Sequence, residues 1–290
     1  HEEKFFRLLL PKPFGGEEAS PPKFFETMSA LAENDASTAW CICQANGCAM
    51  TAAFVVPEIA QHIWGNDPHA VMAWGPGKAE YTKKDDGHII SGRWQFASGS
   101  RHATWLGGRT PMTLSDGKTV FRTFLFPASE VEMIEIWDVL GLRGTGSDGY
   151  SVKDLFVPKG YLATPGLDVE ERLYDAPLYW MPSEVHQAIG FTGIALGIAR
   201  SMLELFKEVA TEKKPYRMTN MLSENVLVQS DVAISEARVR SARAYMLNET
   251  AEVWEDVLDK GELTEESNMR IRLSSTYSIH EAKAVVDLIY

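Results

Sequence analysis

The stretch Ser91–Trp105 contains the residues whose types and order best suit chemistry on a flat ligand. It begins with the alternation of a half-buried strand and becomes small and polar at Ser98–Ser100. Small residues let a planar ligand approach the backbone closely, and the hydroxyl of Ser98 can donate a hydrogen bond to it. A structural strand whose tryptophans fill the core would have the same sequence, so both interpretations stay open from these residues alone.

A second stretch, Trp137–Asp148, could hold an anion or one edge of a flat cofactor. Gly141, Gly144 and Gly146 alternate with other residues that include Thr and Ser. Successive backbone N–H groups in such a loop can point at one ligand. The alternative is an ordinary glycine-rich loop between two strands, and the pattern alone does not separate the two.

Metal chemistry and several common enzyme mechanisms find no support in the sequence. Cys41, Cys43 and Cys48 have the spacing C-x-C-x4-C. On a helix the second would point away from the other two, which is unsuited to zinc and favours small buried side chains. The seven histidines are scattered, and H-E-x-x-H, G-x-S-x-G, Walker and G-x-G-x-x-G motifs are absent. We therefore expect no metal site, metal hydrolase, NTPase or Rossmann dehydrogenase.

The composition is that of an ordinary soluble globular protein, with a net charge of −12. No basic stripe suits nucleic acid or an anionic membrane, and no run reaches the ~18 apolar residues of a membrane-spanning helix. The N-terminus lacks the layout of a secretory signal, and three cysteines do not suggest a disulfide framework. We expect a cytoplasmic protein that binds neither nucleic acid nor membrane. Because a starting Met is absent, we also expect the natural N-terminus to lie upstream.

Three regions of different periodicity must position these residues. Residues 1–66 predict helices, because a Ser-Pro helix start precedes apolar residues at three- and four-residue spacing. Residues 67–165 predict strands, with a tight turn at Asp85–Gly87 between two extended runs. Residues 166–290 predict long helices. We interpret the regions as an N-terminal helical domain, a central β-barrel-like domain and a C-terminal helical bundle.

The C-terminal region has the pattern of a four-helix bundle that is cut short. Gly190, Gly193 and Gly197 lie along its first long helix, where they permit close helix packing, and Thr264 is a suitable N-cap for its last helix. That helix is still periodic where the chain stops at Tyr290, with no Gly or Pro exit signal. We expect three of the four bundle helices in this chain.

Together the motifs resemble the acyl-CoA dehydrogenase superfamily. The matching segments span nearly the whole chain and follow in the order Leu10–Gly16, Asp35–Trp40, Gly92–Gly99 and Gly141–Ser147. This resemblance implies an α+β, acyl-CoA-dehydrogenase-like fold. It also implies a helical N-terminal domain, a central β-domain and a C-terminal four-helix bundle, the same layout that periodicity predicts.

Within the superfamily, the motif variants resemble flavin-dependent aromatic hydroxylases. The T-E-P-x-x-G-S-D segment typical of true acyl-CoA dehydrogenases is replaced by Ala73–Lys78, and Trp94–Trp105 has the form W-x-F-x-S-G-x-x-H-A-x-W. That form is similar to the oxygenase components of two-component flavin-dependent monooxygenases, such as hydroxyphenylacetate hydroxylase and the steroid-degradation hydroxylases.

The resemblance implies roles for individual residues. Ser98 stands where the family bonds flavin N5, as a catalytic and cofactor-binding residue. Trp40 matches a tryptophan that lines the flavin and the substrate pocket. Phe96 and Gly99 belong to the same cofactor-binding motif, and Trp74 is assigned to the substrate pocket.

Other residues stand at the edge of the resemblance. Arg217 is placed like an arginine that meets the flavin phosphate, with a solvated helix-end arginine as the alternative. His102 belongs to the motif, and a structural role is favoured for it. The histidine that is important in the family's hydroxylases is expected beyond Tyr290. An aromatic pocket is suggested by residues that core packing explains equally well: Trp40, Trp74, Trp94, Phe96 and Trp105.

The implied function is that of a flavin-dependent monooxygenase. Reduced FMN or FAD, as a diffusible cofactor, would come from a separate flavin reductase in a transient encounter. With O2 it would form a C4a-hydroperoxyflavin that hydroxylates a small aromatic substrate, and the family implies a homotetramer. One alternative is an acyl-CoA dehydrogenase with tightly bound FAD, although no glutamate can be assigned as its base. The other is a scaffold that no longer binds flavin.

Overall fold

The computed structural model describes residues 4–113, 116–164, 169–216 and 219–290. The chain divides into two compact units. The first comprises His1–Ala19 and Trp40–Gln187, and the second comprises Ser20–Ala39 and Ala188–Tyr290. These units interleave along the chain, whereas the three domain ranges expected from the sequence follow one another. The domain boundaries therefore stay a prediction.

The helices and strands follow the order that the sequence periodicity predicts, which is helical, then extended, then helical. The α-helices are α1 (Pro21–Asn34), α2 (Ala36–Ala49), α3 (Pro57–Ala60), α4 (Ser183–Glu212), α5 (Val226–Lys260) and α6 (Glu265–Ile289). The strands are β1 (Met72–Ala73), β2 (Gly77–Lys84), β3 (Gly87–Ala97), β4 (Trp105–Thr113), β5 (Thr119–Pro127), β6 (Glu132–Ile134), β7 (Asp148–Pro158) and β8 (Leu162–Ala163). The α+β class is confirmed.

The strands of the first unit form two four-stranded sheets, with the orders β1-β4-β5-β8 and β2-β3-β7-β6. The predicted tight turn is confirmed, because β2 and β3 pair in antiparallel fashion up to Lys84 opposite Gly87, with Asp85 at a φ of 46°. The pairing of β3 with β7 is irregular between Trp94 and Ala97. This irregularity lies within the stretch Ser91–Trp105, just before Ser98.

Trp94 lies at the centre of the core of the first unit. Its ring is fully buried and stacks on Tyr150 with 5.4 Å between ring centroids. Its indole Nε1 donates to the backbone carbonyl of Arg109 at 2.8 Å. Because a buried tryptophan with its N–H satisfied is a stable core element, Trp94 belongs to the core and not to an aromatic ligand pocket.

The second unit is built from helices that pack closely through glycine. A Cβ on Gly193 would lie 2.6 Å from the carbonyl oxygen of Phe25, and one on Gly197 would lie 2.4 Å from that of Ser29. The predicted role of these glycines in close helix packing is thus confirmed. Thr264 caps α6 as predicted, since its Oγ1 accepts from the Ser267 N–H.

Among the residues that the structure describes, one helix, α4, is long and apolar enough to cross a membrane by length and composition alone. Half of its most apolar window is buried inside the protein. Core helices of soluble proteins pass the same test, so the feature carries little weight.

Candidate active site

The chain leaves regular strand geometry where β3 ends. Phe96 has a φ of 55° and Gly99 a φ of 78°. Glycine adopts this left-handed conformation freely, but another residue does so at a cost of roughly 1–2 kcal/mol. The Phe96 side chain is 60% exposed, whereas Ser98, two residues further on, is buried. Strained backbone conformations cluster at active sites and ligand contacts, so Phe96 marks this turn as a candidate site.

A chain of hydrogen bonds starts at Trp40 and passes through three hydroxyl groups, and we call it the hydroxyl chain. The indole Nε1 of Trp40 donates to Ser98 Oγ at 3.0 Å. Ser98 Oγ lies 2.8 Å from Ser147 Oγ, which lies 2.7 Å from Thr145 Oγ1. Thr145 Oγ1 donates to the backbone carbonyl of Leu142 at 2.9 Å. The two stretches singled out in the sequence thus meet at Ser98 and Ser147.

The donor at each step of the hydroxyl chain follows from its two ends. The Leu142 carbonyl can only accept, so the single proton of Thr145 is used there and Thr145 accepts from Ser147. Ser147 has then spent its own proton and accepts from Ser98. Ser98 receives the Trp40 N–H and gives its proton to Ser147. Among the described residues, one lone pair of Ser98 Oγ is left, so the network assigns Ser98 as a hydrogen-bond acceptor toward a ligand.

Two further contacts hold the loops of the hydroxyl chain together. The backbone N–H of Gly99 donates to the carbonyl of Thr145 at 2.9 Å. The thiol of Cys41 donates to the same carbonyl at 3.6 Å. Because Cys41 follows Trp40 directly on α2, this contact fixes the helix turn that aims the indole at Ser98.

The buried carboxylate of Asp148 anchors the loop that carries Ser147. Its Oδ1 accepts from the backbone N–H groups of Ile136 and Trp137, each at 3.0 Å, and its Oδ2 pairs with Arg101. Burial acts to raise the pKa of Asp148, but the hydrogen bonds from Arg101 and from the two N–H groups outweigh it and lower the pKa below its ordinary value. Asp148 is therefore ionised at neutral pH.

Phe96, two residues before Ser98, lines a cavity of about 370 Å³ in the first unit, and we call this the Phe96 cavity. Its walls come from α2, from the segment between β1 and β2, and from β2, β3, β4 and β5: Gln44, Trp74, Gly75, Pro76, Gly77, Phe96, Arg109 and Phe121. A Cβ on Gly75 would lie 1.8 Å from the Gln95 carbonyl oxygen, so this wall admits no side chain there. Trp74 and Phe96, both expected at the site, line the same cavity.

Sequence comparison identifies the family. The family model for the acyl-CoA dehydrogenase C-terminal domain matches residues 189–290. Indole-3-acetate monooxygenase of Pseudomonas putida is 32% identical over 283 residues, which cover 97% of this chain and 71% of that protein. The oxygenase subunit HsaA of Mycobacterium tuberculosis, a flavin-dependent monooxygenase, is 37% identical over 158 residues, which cover 53% of this chain and 40% of that protein.

The chain belongs to the flavin-dependent monooxygenases of the acyl-CoA dehydrogenase superfamily. The crystal structure of HsaA from M. tuberculosis has the same fold, with a TM-score of 0.86 and 25% identity over 99% of this chain and 76% of that chain. The resemblance read from the motifs is confirmed, as is the acyl-CoA-dehydrogenase-like fold. The relatives support the monooxygenase and not the alternative of an acyl-CoA dehydrogenase.

The residues that the monooxygenase motif suggested fall into separate places. Trp40 and Ser98 are hydrogen-bonded partners, and Trp74 and Phe96 line the Phe96 cavity. Trp105 instead lines a second cavity of about 380 Å³, where its ring lies parallel to that of Tyr161. The aromatic set suggested by the sequence is therefore divided between two cavities, the hydroxyl chain and the core.

His102, another residue of the monooxygenase motif, packs against an aromatic ring in the structure. The ring of His102 lies edge-on to Phe6 with 5.6 Å between centroids, and burial lowers its pKa, so it is neutral at pH 7. A Cβ on Gly99 would lie 3.0 Å from His102 Cε1, which fits the structural role favoured for this histidine. Arg217 lies outside the described residues, and its assignment stays a prediction.

Sequence reasoning missed residues that the structure places at the site. Ser147 and Thr145 belong to a loop whose composition was noticed, but which hydroxyl would meet Ser98 depends on the pairing of β3 with β7. Arg109 stands in the middle of an otherwise uncharged strand, and that isolated charge was the signal available. Gln44 on α2 gave no signal that separates it from a surface residue.

Proposed function

We propose that this monooxygenase takes reduced FMN or FAD from a separate flavin reductase in a transient encounter and uses O2 to hydroxylate a small aromatic substrate. The chemistry that the flavin supplies when bound is the two-electron activation of O2, with one oxygen atom entering the substrate and the other leaving as water. The observation that carries the proposal is the polarity of the hydroxyl chain, which leaves Ser98 Oγ an acceptor two residues after Phe96, a wall residue of the aromatic cavity.

Ser98 Oγ is proposed to accept a hydrogen bond from the N5–H group of a reduced flavin. Reduced flavin carries a hydrogen on N5 and donates it, whereas N5 of oxidised flavin only accepts. An acceptor at Ser98 pairs with the N5–H donor of reduced flavin. With oxidised flavin, it would face N5 as a second acceptor, and no hydrogen bond would form. Trp40 holds the Ser98 oxygen in place, and the chain through Ser147 keeps the Ser98 proton turned away. These residues therefore favour the reduced cofactor and hold its N5 proton.

The other residues proposed for the site have properties that suit a planar ligand. Gly99 permits the turn behind Ser98, and the exposed Phe96 ring offers an apolar face. Trp74 is proposed to line the substrate pocket, and Arg217 to meet the flavin phosphate. At about 370 Å³ the Phe96 cavity lies within the range of about 300–1,000 Å³ of small-molecule sites. Its aromatic walls would exclude water from the reacting atoms.

The wider setting is also a proposal. We infer a cytoplasmic homotetramer that acts on neither nucleic acid nor membrane, which the net charge of −12 supports. Exposed apolar side chains on α5 and α6 support an assembly, since large apolar surfaces rarely stay in water. Examples are Leu227, Met269 and Leu273, each more than half exposed.

Product analysis with isotopic oxygen tests the proposal. The enzyme is supplied with FMN, NADH and an unrelated flavin reductase under 18O2, together with a panel of phenols, indoles and aromatic acids. We expect a product that gains one 18O atom, and no dependence on the origin of the reductase. Peroxide without any oxygenated product across the panel, or bleaching of bound FAD by an acyl-CoA, would contradict it.

A further inference from the structure

Arg109 brings a positive charge into the wall of the Phe96 cavity. It lies near the middle of β4, and its guanidinium carbon stands 4.6 Å from the centroid of the Phe121 ring. Its Nε is buried without a hydrogen-bond partner. Within the described residues, no carboxylate forms an ion pair with it. The guanidinium therefore has unused donors beside the cavity.

Arg7 shows how a structural arginine of the same unit is satisfied. Arg7 is buried, whereas Arg109 is half-buried with a buried Nε, and neither has an ion pair among the described residues. However, the donors of Arg7 reach the backbone carbonyls of Phe14, Trp64, Asp67 and Pro68. Arg109 has no such set of carbonyl acceptors in the described part of the chain. Since buried polar groups are normally paired, the vacant donors of Arg109 point to an acceptor that arrives with a ligand.

The other wall residues of the Phe96 cavity indicate the chemical nature of the rest of that ligand. Trp74, Phe96 and Phe121 present aromatic surface, and Gln44 adds one amide. Gly75 and Gly77 also line the cavity and add no side chain to it. Aromatic walls favour an aromatic ring, and the planar fork of a guanidinium matches the two oxygens of a carboxylate. The contact with Phe121 supports the guanidinium plane from one side.

We propose that Arg109 is a specificity-determining residue that binds the carboxylate of an aromatic acid, whose ring occupies the Phe96 cavity. The inference rests on the proposed function for the hydroxylation itself, and it narrows the substrate class from small aromatic compounds to aromatic acids. The phosphate of a flavin is an anion of the same kind. The aromatic walls around Arg109 favour the acid, and the two sources are separated by the test.

Binding measurements with matched acid and amide pairs test this assignment. The probes are indole-3-acetate with indole-3-acetamide, and 4-hydroxyphenylacetate with 4-hydroxyphenylacetamide, titrated calorimetrically into the intact enzyme with and without reduced FMN. We expect each acid to bind about tenfold or more tightly than its amide. Arg109→Gln should weaken acid binding about 10- to 100-fold and change amide binding less than about threefold.

Two further variants make the result interpretable. Arg93→Gln removes an exposed arginine from β3, a strand of the other sheet, and should leave acid binding unchanged. Arg109→Lys keeps the charge without the fork and should give an intermediate affinity for the acid. Thermal unfolding of each variant shows whether it is folded, and a folded Arg109→Lys keeps the test decisive if Arg109→Gln does not fold.

Three outcomes would overturn the inference. These are equal binding of acid and amide by the wild type, equal loss of both in Arg109→Gln, and weaker binding of reduced FMN with acid binding intact. The last outcome would assign Arg109 to the flavin phosphate. Failure of the proposed function would look different, because flavin binding or oxygen transfer would then be absent while acids still bound through Arg109 in the flavin-free titration.

Discussion

At the scale of single residues, the direction of one proton decides what Ser98 offers a ligand. From the sequence, Ser98 was expected to donate a hydrogen bond to a ligand, but the hydroxyl chain uses its proton and leaves it an acceptor. The direction of the Ser98 proton is set by the Leu142 carbonyl, which lies three hydrogen bonds along the hydroxyl chain and can only accept. Because each hydroxyl has a single proton, Thr145, Ser147 and Ser98 must all donate in the direction of Leu142. Residues away from the proposed ligand contact thus set the hydrogen-bond polarity of Ser98, the residue proposed to make that contact.

Thr145→Val should reverse that polarity. With Oγ1 removed, Ser147 loses its acceptor and turns its proton to Ser98, and the Ser98 proton becomes free for the ligand. We expect oxidised FMN to bind about 3- to 10-fold more tightly than in the wild type, as one hydrogen bond is gained. Fluorescence titration measures this. Thr145→Ser retains the hydroxyl and serves as control, and the idea fails if both variants bind oxidised FMN alike.

At the scale of elements, the site depends on loops that are held by backbone contacts more than by regular pairing. The segment before β7 contains Gly146 at a φ of 48°, and a Cβ there would lie 2.9 Å from Arg101. Asp148, at the start of β7, ties this segment to the N–H groups before it. The sequence predicted a glycine-rich loop here. Which glycine turns, and which carboxylate anchors it, depends on the register between β3 and β7.

Asp148→Asn should weaken this anchor in a pH-dependent way. The pKa of Asp148 is lowered in the folded state, so its contribution is present above its unfolded pKa and is lost as pH falls through the folded value. Near pH 7 we expect a loss of about 1 kcal/mol, since Arg101 is largely exposed and its attraction is screened. Urea unfolding between pH 7 and pH 3 measures it. A difference that grows below pH 4 would contradict the account.

Gly197→Ala tests the close helix packing of the second unit. Alanine raises helix propensity by about 1 kcal/mol, but its Cβ would lie 2.4 Å from the Ser29 carbonyl oxygen. A backbone atom cannot rotate aside, so we expect a net loss of about 1–3 kcal/mol in the free energy of unfolding. Gly141→Ala, whose Cβ meets no atom within 4 Å, is the control. Equal stability of the two variants would show that the helices adjust freely.

At the scale of the whole molecule, the sequence predicted more of the fold than of the site. The order of motifs and the change from helical to alternating periodicity identified the superfamily and its layout, because both are local properties of the chain. Trp40 and Ser98, which are 58 positions apart, could be assigned to one site only by family resemblance, and their hydrogen bond was not predicted. Trp94 and Trp105 were grouped with pocket residues, and their separation needs three-dimensional packing. Arg109 became informative only from the structure, in which its buried Nε has no hydrogen-bond partner among the described residues.

The affinity of the intact enzyme for the two redox states of flavin tests the central claim most directly. Reduced FMN, without oxygen, and oxidised FMN are titrated into the wild type and into Ser98→Ala. The account predicts that the wild type binds reduced FMN about tenfold or more tightly than oxidised FMN. It also predicts that Ser98→Ala loses most of this difference through weaker binding of the reduced form. Equal affinities in the wild type, or an unchanged ratio in Ser98→Ala, would contradict the assignment of Ser98 as the acceptor for N5.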